Sequence, residues 1–159
     1  MIIGRHTYGK PHVHGNKRMV EIGSFCSIAK GVIFISQGDH HHEWISTFPF
    51  RERLGFGNKH RTGKGKIHIG SDVWLGTRCV ILSGVRIGHG AVIGASAVIS
   101  KDVRPYAIMV GNPAMEIKRR FSDEEVKLLL DLRWWDWSDE KILMNADMLT
   151  APIFQKEVV

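Results

Sequence analysis

The densest group of proton-exchanging side chains in this 159-residue sequence is Asp39-His40-His41-His42-Glu43. Histidine exchanges protons near neutral pH, which makes it a frequent general base and a common metal ligand. The cluster by itself leaves three alternatives open: a solvated loop, a metal site or a catalytic base. Successive residues on an extended backbone point in diverging directions, which counts against one ion held by all three imidazoles.

The cluster lies in a segment whose composition differs from the rest of the chain. Between residues 37 and 66 the sequence is rich in glycine, histidine and charged residues, with aromatic interruptions at Trp44, Phe48 and Phe50. A loop longer than about 15 residues inside a compact domain is usually functional or disordered, and the aromatic residues favour order. We therefore expect residues 37–66 to protrude as an ordered, functional loop from a rigid scaffold.

The sequence on either side of this loop repeats every six residues. An aliphatic residue recurs in phase, and a smaller apolar residue follows it four positions later. The aliphatic series is Ile69, Leu75, Ile81, Ile87, Ile93 and Ile99, and the smaller series is Val73, Cys79, Val85, Ala91, Ala97 and Val103. The pattern also occurs earlier, at Ile22, Cys26, Ile28 and Val32. A helix would need apolar spacings of three and four, so a period of six predicts short strands joined by tight corners.

This repeat predicts a solenoid. Each short strand stacks on the equivalent strand of the next coil, and the aliphatic residues form one internal column. Glycine often follows the aliphatic residue, as at Gly76, where the absence of Cβ lets the backbone turn a corner. Both cysteines, Cys26 and Cys79, fall at inward positions, so we interpret them as small core residues rather than nucleophiles. We expect a mostly β fold with two coils over residues 69–104 and about one more over residues 20–35.

Several motifs outside the repeat resemble a known family. They are Arg5-His6-Thr7-Tyr8-Gly9, Ile22-Gly23-Ser24-Phe25-Cys26-Ser27-Ile28, Trp44-Ile45-Ser46-Thr47-Phe48-Pro49-Phe50, Pro105-Tyr106-Ala107-Ile108-Met109-Val110-Gly111-Asn112-Pro113-Ala114, Ile117-Lys118-Arg119-Arg120-Phe121 and Trp134-Trp135-Asp136-Trp137. Together with the repeat, they resemble the hexapeptide-repeat acyltransferases, and among these the xenobiotic acetyltransferase branch, which includes type B chloramphenicol and streptogramin acetyltransferases alongside polysaccharide O-acetyltransferases. The resemblance implies a left-handed parallel β-helix, a homotrimer with active sites between subunits, and acetyl-CoA as co-substrate.

The resemblance also implies roles for individual residues. His40 stands at the family's catalytic histidine and would remove the proton of an acceptor hydroxyl. Asp39 stands where the family usually has Asn, and a carboxylate there could raise the basicity of an adjacent imidazole. The implied acceptor-binding residues are Tyr8, Asp39, His41, Glu43 and Trp44. The implied cofactor-binding residues are Trp74, Gly76, Ser83, Gly84, Ala95, Lys101, Lys118 and Arg119. A backbone amide near Ser83-Gly84 would stabilise the oxyanion, and no metal is expected.

Alternation along the strand turns Trp74 outward, because its neighbour Val73 points inward. Its indole would form a wall of the groove for the CoA arm, or it would serve subunit packing. Basic residues that could pair with the phosphates of CoA follow the last coils; otherwise they form a solvated basic tail. They are Lys101, Arg104, Lys118, Arg119 and Arg120. The remaining histidines are expected at the surface or in local hydrogen bonds: His6, His12, His14, His60, His68 and His89.

The C-terminal segment carries two helix-start signals. Ser122-Asp123-Glu124-Glu125 has the form of a capping box, which predicts a helix from about Asp123. The apolar stripe of this helix would consist of Val126, Leu129, Leu130 and Arg133. Ser138 repeats the signal, and a second short helix would contain Ile142, Leu143, Ala146 and Leu149. We predict that the tryptophans at 134, 135 and 137 pack these helices on the open end of the solenoid. The expected boundaries are 1–121 for the β-helix and 122–159 for its helical cap, in one domain.

The composition and net charge of the chain indicate its expected partners and its expected cellular location. The net charge of +6 favours anionic partners, such as a phosphorylated cofactor or nucleic acid, but the aromatic residues do not alternate with basic ones as in a nucleic-acid stacking platform. No stretch reaches the roughly 20 apolar residues of a membrane span. With no secretion signal and only two cysteines, we expect a cytoplasmic protein. The predicted function is acetyl-CoA-dependent O-acetylation of a sugar or polysaccharide precursor. The alternative acceptor is an antibiotic, and a lesser alternative is a noncatalytic solenoid that binds anions or nucleic acid.

Overall fold

The computed structural model describes residues 1–59 and 63–153. The expected surface residue His60 lies outside this range. So do the parts of the predicted loop and helical cap at residues 60–62 and 154–159.

Most of the regular elements before residue 120 are short strands, and most of the helices follow them. The strands are β1 Ile2–Ile3, β2 His12–His14, β3 Val20–Ile22, β4 Ser27–Ile28, β5 Ile33–Ile35, β6 Ile67–Ile69, β7 Trp74–Leu75, β8 Val80–Leu82, β9 Arg86–Ile87, β10 Val92–Ile93, β11 Val98–Ile99, β12 Ala107–Val110 and β13 Met115–Arg119. The helices are α1 Phe50–Leu54, α2 Asp123–Leu132, α3 Asp139–Met144 and α4 Ala146–Leu149, with 3₁₀ turns at Lys17–Met19 and Trp134–Asp136.

The strands form three sheets that the chain visits in the same order in every coil. The first face has the strand order β1-β3-β6-β9, the second face β13-β12-β10-β7-β4, and the third face β11-β8-β5-β2. Neighbouring strands are parallel throughout the described residues, except for the antiparallel pair β12 and β13. This arrangement is a parallel β-helix of triangular cross-section, as the six-residue period predicts.

The core of the β-helix consists of the two inward series. Their members are between 0% and 5% exposed, from Ile81 at 0% to Val103 at 5%. The same holds for the four inward residues of the earlier coil, and Phe34 is also fully buried. Because each inward residue stacks on its equivalent in the next coil, the period and the core are confirmed together.

The structure contains one coil that the sequence repeat does not predict. β1 and β2, with a bridge between Tyr8 and Ser27, form a coil over residues 2–14 that stacks below β3, β4 and β5. In this coil, Thr7 occupies the position next to Cys26 of the following coil. The Thr7 hydroxyl donates to the carbonyl of Gly23 at 2.7 Å and accepts from the Cys26 amide at 2.9 Å. A polar residue that hydrogen-bonds at the inward position breaks the apolar pattern, so the period does not reveal this coil.

The inserted loop interrupts the chain without changing the phase of the coils. It leaves after β5 on the third face and returns at β6 on the first face. β3 pairs with β6, and β5 pairs with β8, so the coils before and after the loop are direct neighbours. The loop therefore emerges at the corner between the third and first faces, which we call the loop corner.

Gly76 explains why a corner position excludes larger residues. It is buried, and its amide donates to the carbonyl of Ile93 at 2.8 Å. A Cβ at this position would lie 2.6 Å from that oxygen and 2.7 Å from the amide nitrogen of Ala95. The close approach of the next coil thus requires glycine here.

The chain from Phe121 onward forms a second compact unit. α2 begins at Asp123 with the predicted capping box, in which the Ser122 and Glu125 side chains each bond the other's backbone amide. The expectation that Arg133 continues the helix is wrong: α2 ends at Leu132, and Arg133 takes a left-handed conformation and pairs with Asp136.

The second helix also differs from the expectation. Ser138 caps α3 as predicted, accepting from the Lys141 amide. However, α3 ends at Met144, and Asn145 separates it from α4. Leu143, expected on the apolar stripe, is 78% exposed, because it lies one position after the preceding member of the stripe and therefore about 100° around the helix from it. The other three members are partly buried, namely Ile142, Ala146 and Leu149. No helix among the described residues is long and apolar enough to cross a membrane.

Candidate active site

Two buried serines hold the stem of the inserted loop. Ser36, at the departing end, is 1% exposed, and its hydroxyl lies 3.1 Å from the carbonyl of His14 and 3.0 Å from that of Asn16. Ser83, on the next coil, is 5% exposed and bonds both arms of the loop. Its oxygen accepts from the Lys64 amide at 3.1 Å and donates to Asp39 Oδ2 at 3.1 Å. The loop is therefore fixed to the coils on both sides of its exit.

His40 is oriented by the backbone of the loop itself. Its Nδ1 lies 2.6 Å from the carbonyl oxygen of Thr47. A carbonyl only accepts hydrogen bonds, so Nδ1 must carry the proton. In the neutral ring the basic lone pair is then on Nε2, as a general base requires.

Asp39 has a different partner from the one that the sequence suggested. The sequence suggests that this carboxylate raises the basicity of a neighbouring imidazole, whereas in the structure it accepts a hydrogen bond from the Ser83 hydroxyl. The ring of His40 is held by the Thr47 carbonyl instead. The contact could not be inferred from sequence, because Asp39 and Ser83 are 44 residues apart.

The other two histidines of the cluster turn to Glu43. His41 Nδ1 lies 2.7 Å from Glu43 Oε1, and its ring stacks on Trp44 with a centroid distance of 4.0 Å and an interplanar angle of 3°. His42 Nδ1 lies 3.7 Å from Glu43 Oε2, and the His42 side chain is 92% exposed. His40 thus contacts a backbone carbonyl, whereas His41 and His42 both lie beside the Glu43 carboxylate. Across residues 1–59 and 63–153, no group of three or more His, Cys, Asp or Glu side chains is arranged to hold a metal ion.

Beside these residues the loop forms a cavity of about 530 Å³, which we call the aromatic pocket. Its lining residues are Glu43, Trp44, Ile45, Ser46, Phe48, Phe50, Phe56, Gly57 and Asn58. Phe50 contacts Phe48 edge to face at 5.0 Å and Phe56 at 5.6 Å between centroids. Two of the residues predicted to bind the acceptor, Glu43 and Trp44, therefore border a largely apolar cavity.

A second group of predicted residues lies on the outer surface of the second face. There the strand register aligns one residue from each coil in a row, which we call the outer row. Its members are Tyr8, Ser27, Trp74, Val92, Ile108 and Lys118. Tyr8 is 66% exposed and Trp74 57%, which confirms that the indole points outward. With about 4.8 Å between strands, the outer row presents aromatic surface at one end and an ammonium group at the other.

The other predicted cofactor residues are not brought together with the outer row. Gly76 and Ala95 stack at the corner between the second and third faces. Ser83 and Gly84 lie at the loop corner, where the Gly84 amide donates to the carbonyl of Gly65 at 3.1 Å. That amide and the Ser83 hydroxyl are thus both already hydrogen-bonded within the chain, and the oxyanion and cofactor contacts expected of this segment stay predictions.

The expected basic cluster is also only partly available. Arg104 makes a bidentate ion pair with Glu116, with a shortest distance of 2.6 Å, and this hydrogen bond lowers the pKa of the Glu116 carboxyl. Arg119 donates to the Pro105 carbonyl at 3.0 Å. These arginines serve the fold of the chain, and Lys101 and Lys118 are the exposed lysines of the set.

Arg120, the remaining arginine of that cluster, is likewise engaged. It donates to the carbonyl of Gly90 at 2.8 Å and to Asp72 at 3.2 Å. Burial raises the pKa of Asp72, and the Arg120 charge partly opposes this effect.

The cysteines are core residues, as the sequence predicts. Cys26 and Cys79 are both fully buried with free thiols. Burial raises the pKa of both thiols, to about 12 for Cys79. Since the thiolate is the nucleophilic form, neither residue is suited to form a covalent intermediate.

Comparison with known proteins agrees with this architecture. The family described as bacterial transferase hexapeptide (six repeats) matches residues 66–101. A chloramphenicol acetyltransferase of Klebsiella aerogenes is 41% identical over 94% of this chain and 81% of its own length. A probable macrolide acetyltransferase of Lysinibacillus sphaericus is 43% identical over 87% of this chain and 81% of its own.

Solved structures give the same result for the fold. The crystal structure of a maltose O-acetyltransferase from Clostridium difficile 630 matches with a TM-score of 0.60 at 26% identity, over 76% of this chain and 59% of that one. This chain thus spans about three fifths of the length of that structure, and four fifths of the two relatives above. The chain belongs to the hexapeptide-repeat acetyltransferases, which fold as left-handed parallel β-helices.

Proposed function

We propose that this chain transfers the acetyl group of acetyl-CoA directly to a hydroxyl of a small acceptor, with His40 as the general base. Nε2 of His40 removes the hydroxyl proton while the acceptor oxygen attacks the thioester carbonyl. The tetrahedral intermediate then expels the CoA thiolate, which takes the proton back from the imidazolium. The observation that carries the proposal is the 2.6 Å contact between His40 Nδ1 and the Thr47 carbonyl, because it places the ring proton on Nδ1 and leaves the basic lone pair on Nε2.

For acetyl-CoA we propose the outer row as the binding surface. The exposed indole of Trp74 offers apolar contact to the pantetheine arm, and Lys118 offers a charged hydrogen bond to a phosphate. Both residues project from the same side of the second face, because the register links Trp74 to Lys118 through Val92 and Ile108. Lys101 is a further exposed cation for the phosphates.

The position of the loop supports a site shared between subunits. In a triangular coil the loop corner lies opposite the second face, so a single chain carries His40 and the outer row on different sides. A neighbouring copy would place its outer row beside this loop. We therefore propose a homotrimer, in which each site combines the loop of one subunit with the outer row of the next.

The third face supports the same proposal. Its outer surface carries partly exposed aliphatic residues, namely Ile33, Ile35, Val80, Leu82 and Val98. The first face instead carries the ion-paired residues Glu21, Lys66 and His68. Homo-oligomer interfaces are more apolar than the remaining surface, so the third face is the better candidate for subunit packing.

We propose an acceptor with an apolar body, of the hydroxylated antibiotic class, ahead of the sugar expected from sequence. The aromatic pocket supports this choice, since apolar and aromatic linings bind drug-sized ligands well. So does the 41% and 43% identity with a chloramphenicol and a probable macrolide acetyltransferase. A sugar hydroxyl is the second candidate, because the structure of the maltose O-acetyltransferase also matches this chain, at the lower sequence identity of 26%.

An assay of CoA thiol release separates the two acceptor classes. The purified chain is given acetyl-CoA with chloramphenicol, with a macrolide or with maltose, and thiol appearance is measured against a sample without acceptor. We expect a higher kcat/KM with at least one antibiotic than with maltose. Faster turnover of maltose would assign the chain to sugar acetylation instead.

A further inference from the structure

The buried hydroxyl of Ser83 is the point where both arms of the inserted loop meet the β-helix. Asp39 belongs to the departing arm and Lys64 to the returning arm, and each lies 3.1 Å from Ser83 Oγ. A serine hydroxyl has one proton. That proton goes to the Asp39 carboxylate, which only accepts, and a lone pair of the oxygen receives the Lys64 N–H. One side chain therefore closes the loop at its base.

We propose that Ser83 is a positioning residue for the acetyl-transfer reaction, acting on His40 through Asp39. We call the arrangement of Ser83, Asp39 and Lys64 the serine clasp. Asp39 is the residue directly before His40, so holding its side chain against the coil fixes the backbone from which the imidazole projects. The Thr47 carbonyl then sets the rotation of the ring. The proposal rests on the proposed function of His40 but assigns a role to a residue outside the reacting atoms.

Three features distinguish the serine clasp from ordinary loop packing. Ser83 is only 5% exposed, so water competes little for its hydrogen bonds. The acceptor is a carboxylate, and charge-assisted hydrogen bonds are the stronger ones. In addition, a Cβ on Gly63 would lie 3.4 Å from Ser83 Cβ and 2.7 Å from the Ser36 carbonyl oxygen, so the returning arm packs closely against this point.

The expected consequence is a loss of turnover without a loss of cofactor binding. A displacement of about 1 Å can cost a catalytic group on the order of 100-fold in rate. The proposed contacts to acetyl-CoA come from the outer row and not from the serine clasp, so the affinity for acetyl-CoA should not depend on Ser83. In Ser83→Ala we therefore expect kcat to fall by roughly tenfold or more, with an unchanged Kd for acetyl-CoA.

The matched control is Ser71→Ala. Ser71 is also a buried serine, 6% exposed, and its hydroxyl accepts a backbone hydrogen bond, from Ser24 at 3.1 Å. It lies at the corner between the first and second faces, away from the loop corner. The two variants remove the same chemical group, so a general effect of a missing buried hydroxyl would appear in both. Thermal melting of both variants reports whether the β-helix remains folded.

Hydrogen exchange provides a readout that does not depend on activity. In Ser83→Ala the backbone amides of residues 38–48 should exchange about tenfold faster than in the parent, while those of the core strands keep their protection. Ser71→Ala should leave the loop amides as they are. Equal exchange of the loop in the two variants would overturn the proposal, as would an unchanged kcat in a folded Ser83→Ala protein.

A double-mutant cycle identifies the partner through which Ser83 acts. If the clasp works through Asp39, Asp39→Ala lowers kcat as Ser83→Ala does, and the double variant is no worse than either alone. Asp39→Asn keeps an oxygen that accepts from Ser83 and should retain more activity than Asp39→Ala. Additive losses would contradict the coupling. If His40→Ala remained fully active, the proposed function itself would be contradicted. An inactive His40→Ala together with a Ser83→Ala variant of normal activity would contradict only the proposed role of the serine clasp.

Discussion

A backbone hydrogen bond sets the tautomer and the orientation of the His40 ring. The Thr47 carbonyl fixes both the orientation of the ring and the position of its proton, whereas the side chain of His42, two residues further on, is 92% exposed. Three consecutive histidines thus have different surroundings, and His40 is the one that is bonded to the Thr47 carbonyl in this way. At this scale the sequence pattern predicts the residue type of the base, but the hydrogen-bond partner of that residue depends on the path of the loop.

The buried thiols give a prediction for alkaline pH. Burial raises the pKa of Cys79 from 9.0 to about 12, so the folded protein keeps the proton longer than the unfolded chain does. The stabilisation is complete below pH 9 and is lost as the pH rises through the folded pKa. In this range Cys79 should contribute a decrease of about 1.4 kcal/mol in the free energy of unfolding per pH unit.

Chemical denaturation at pH 8 and pH 10.5 measures this contribution. The parent should lose more stability between the two pH values than Cys79→Ala, whose position cannot ionise. Comparing slopes rather than absolute stabilities cancels the packing change caused by the substitution. Identical pH slopes in the two proteins would mean that the thiol is not protected as described.

At the scale of elements, the strand register explains why residues distant in sequence share a surface. The outer row places Trp74 and Lys118 on the same side of the second face, although 43 positions of sequence separate them. Its strands are held by inward residues that are fully buried, such as Leu75 and Ile93. A rigid face of this kind is suited to bind an extended ligand.

Lys118 and Arg119 should respond differently to substitution, although the sequence placed them in one basic cluster. Lys118→Ala should weaken acetyl-CoA binding roughly fivefold at low salt, without lowering the melting temperature, and the effect should decrease as salt increases. Arg119→Ala removes the hydrogen bond to the Pro105 carbonyl and should lower the stability by about 1 kcal/mol. Calorimetric titration and thermal melting of the two single variants check this. Normal binding by Lys118→Ala in dilute buffer would remove Lys118 from the proposed cofactor surface.

The elements also show where prediction from sequence succeeds and where it stops. The coils from Val20 to Val103 could be predicted, because each coil buries apolar residues at equivalent positions. These residues therefore recur every six positions in the sequence. The coil over residues 2–14 could not, because Thr7 fulfils its inward position with hydrogen bonds rather than with apolar area. Likewise, the pairing of Arg104 with Glu116 and of Ser83 with Asp39 follows from the folded path of the chain. Neither pairing leaves a period in the sequence.

At the scale of the whole molecule, the β-helix separates functions by face. Within the described residues, the loop corner carries His40, the proposed base, and the aromatic pocket, while the opposite second face carries the outer row. The proposed trimer would bring the two surfaces together.

The trimer can be tested on the third face. Val80 is partly exposed in the single chain, so Val80→Asp should leave the β-helix folded but place an unpaired carboxylate in the proposed interface. Sedimentation equilibrium should give a trimer for the parent and a monomer with lost activity for Val80→Asp. The control Arg86→Asp, on the charged first face, should remain trimeric. An active, stable monomer of the parent protein would contradict the shared site.

The most direct test of the central claim compares His40→Ala with His42→Ala in acetyl transfer to the preferred acceptor. A general base acts in the transition state and hardly in ground-state binding, so the Kd for acetyl-CoA should be unchanged in both variants. For His40→Ala we predict a loss of about 10²- to 10⁴-fold in kcat. His42→Ala, which removes an exposed ring from the same loop, should stay close to the parent. Near-parental turnover by His40→Ala would contradict the account.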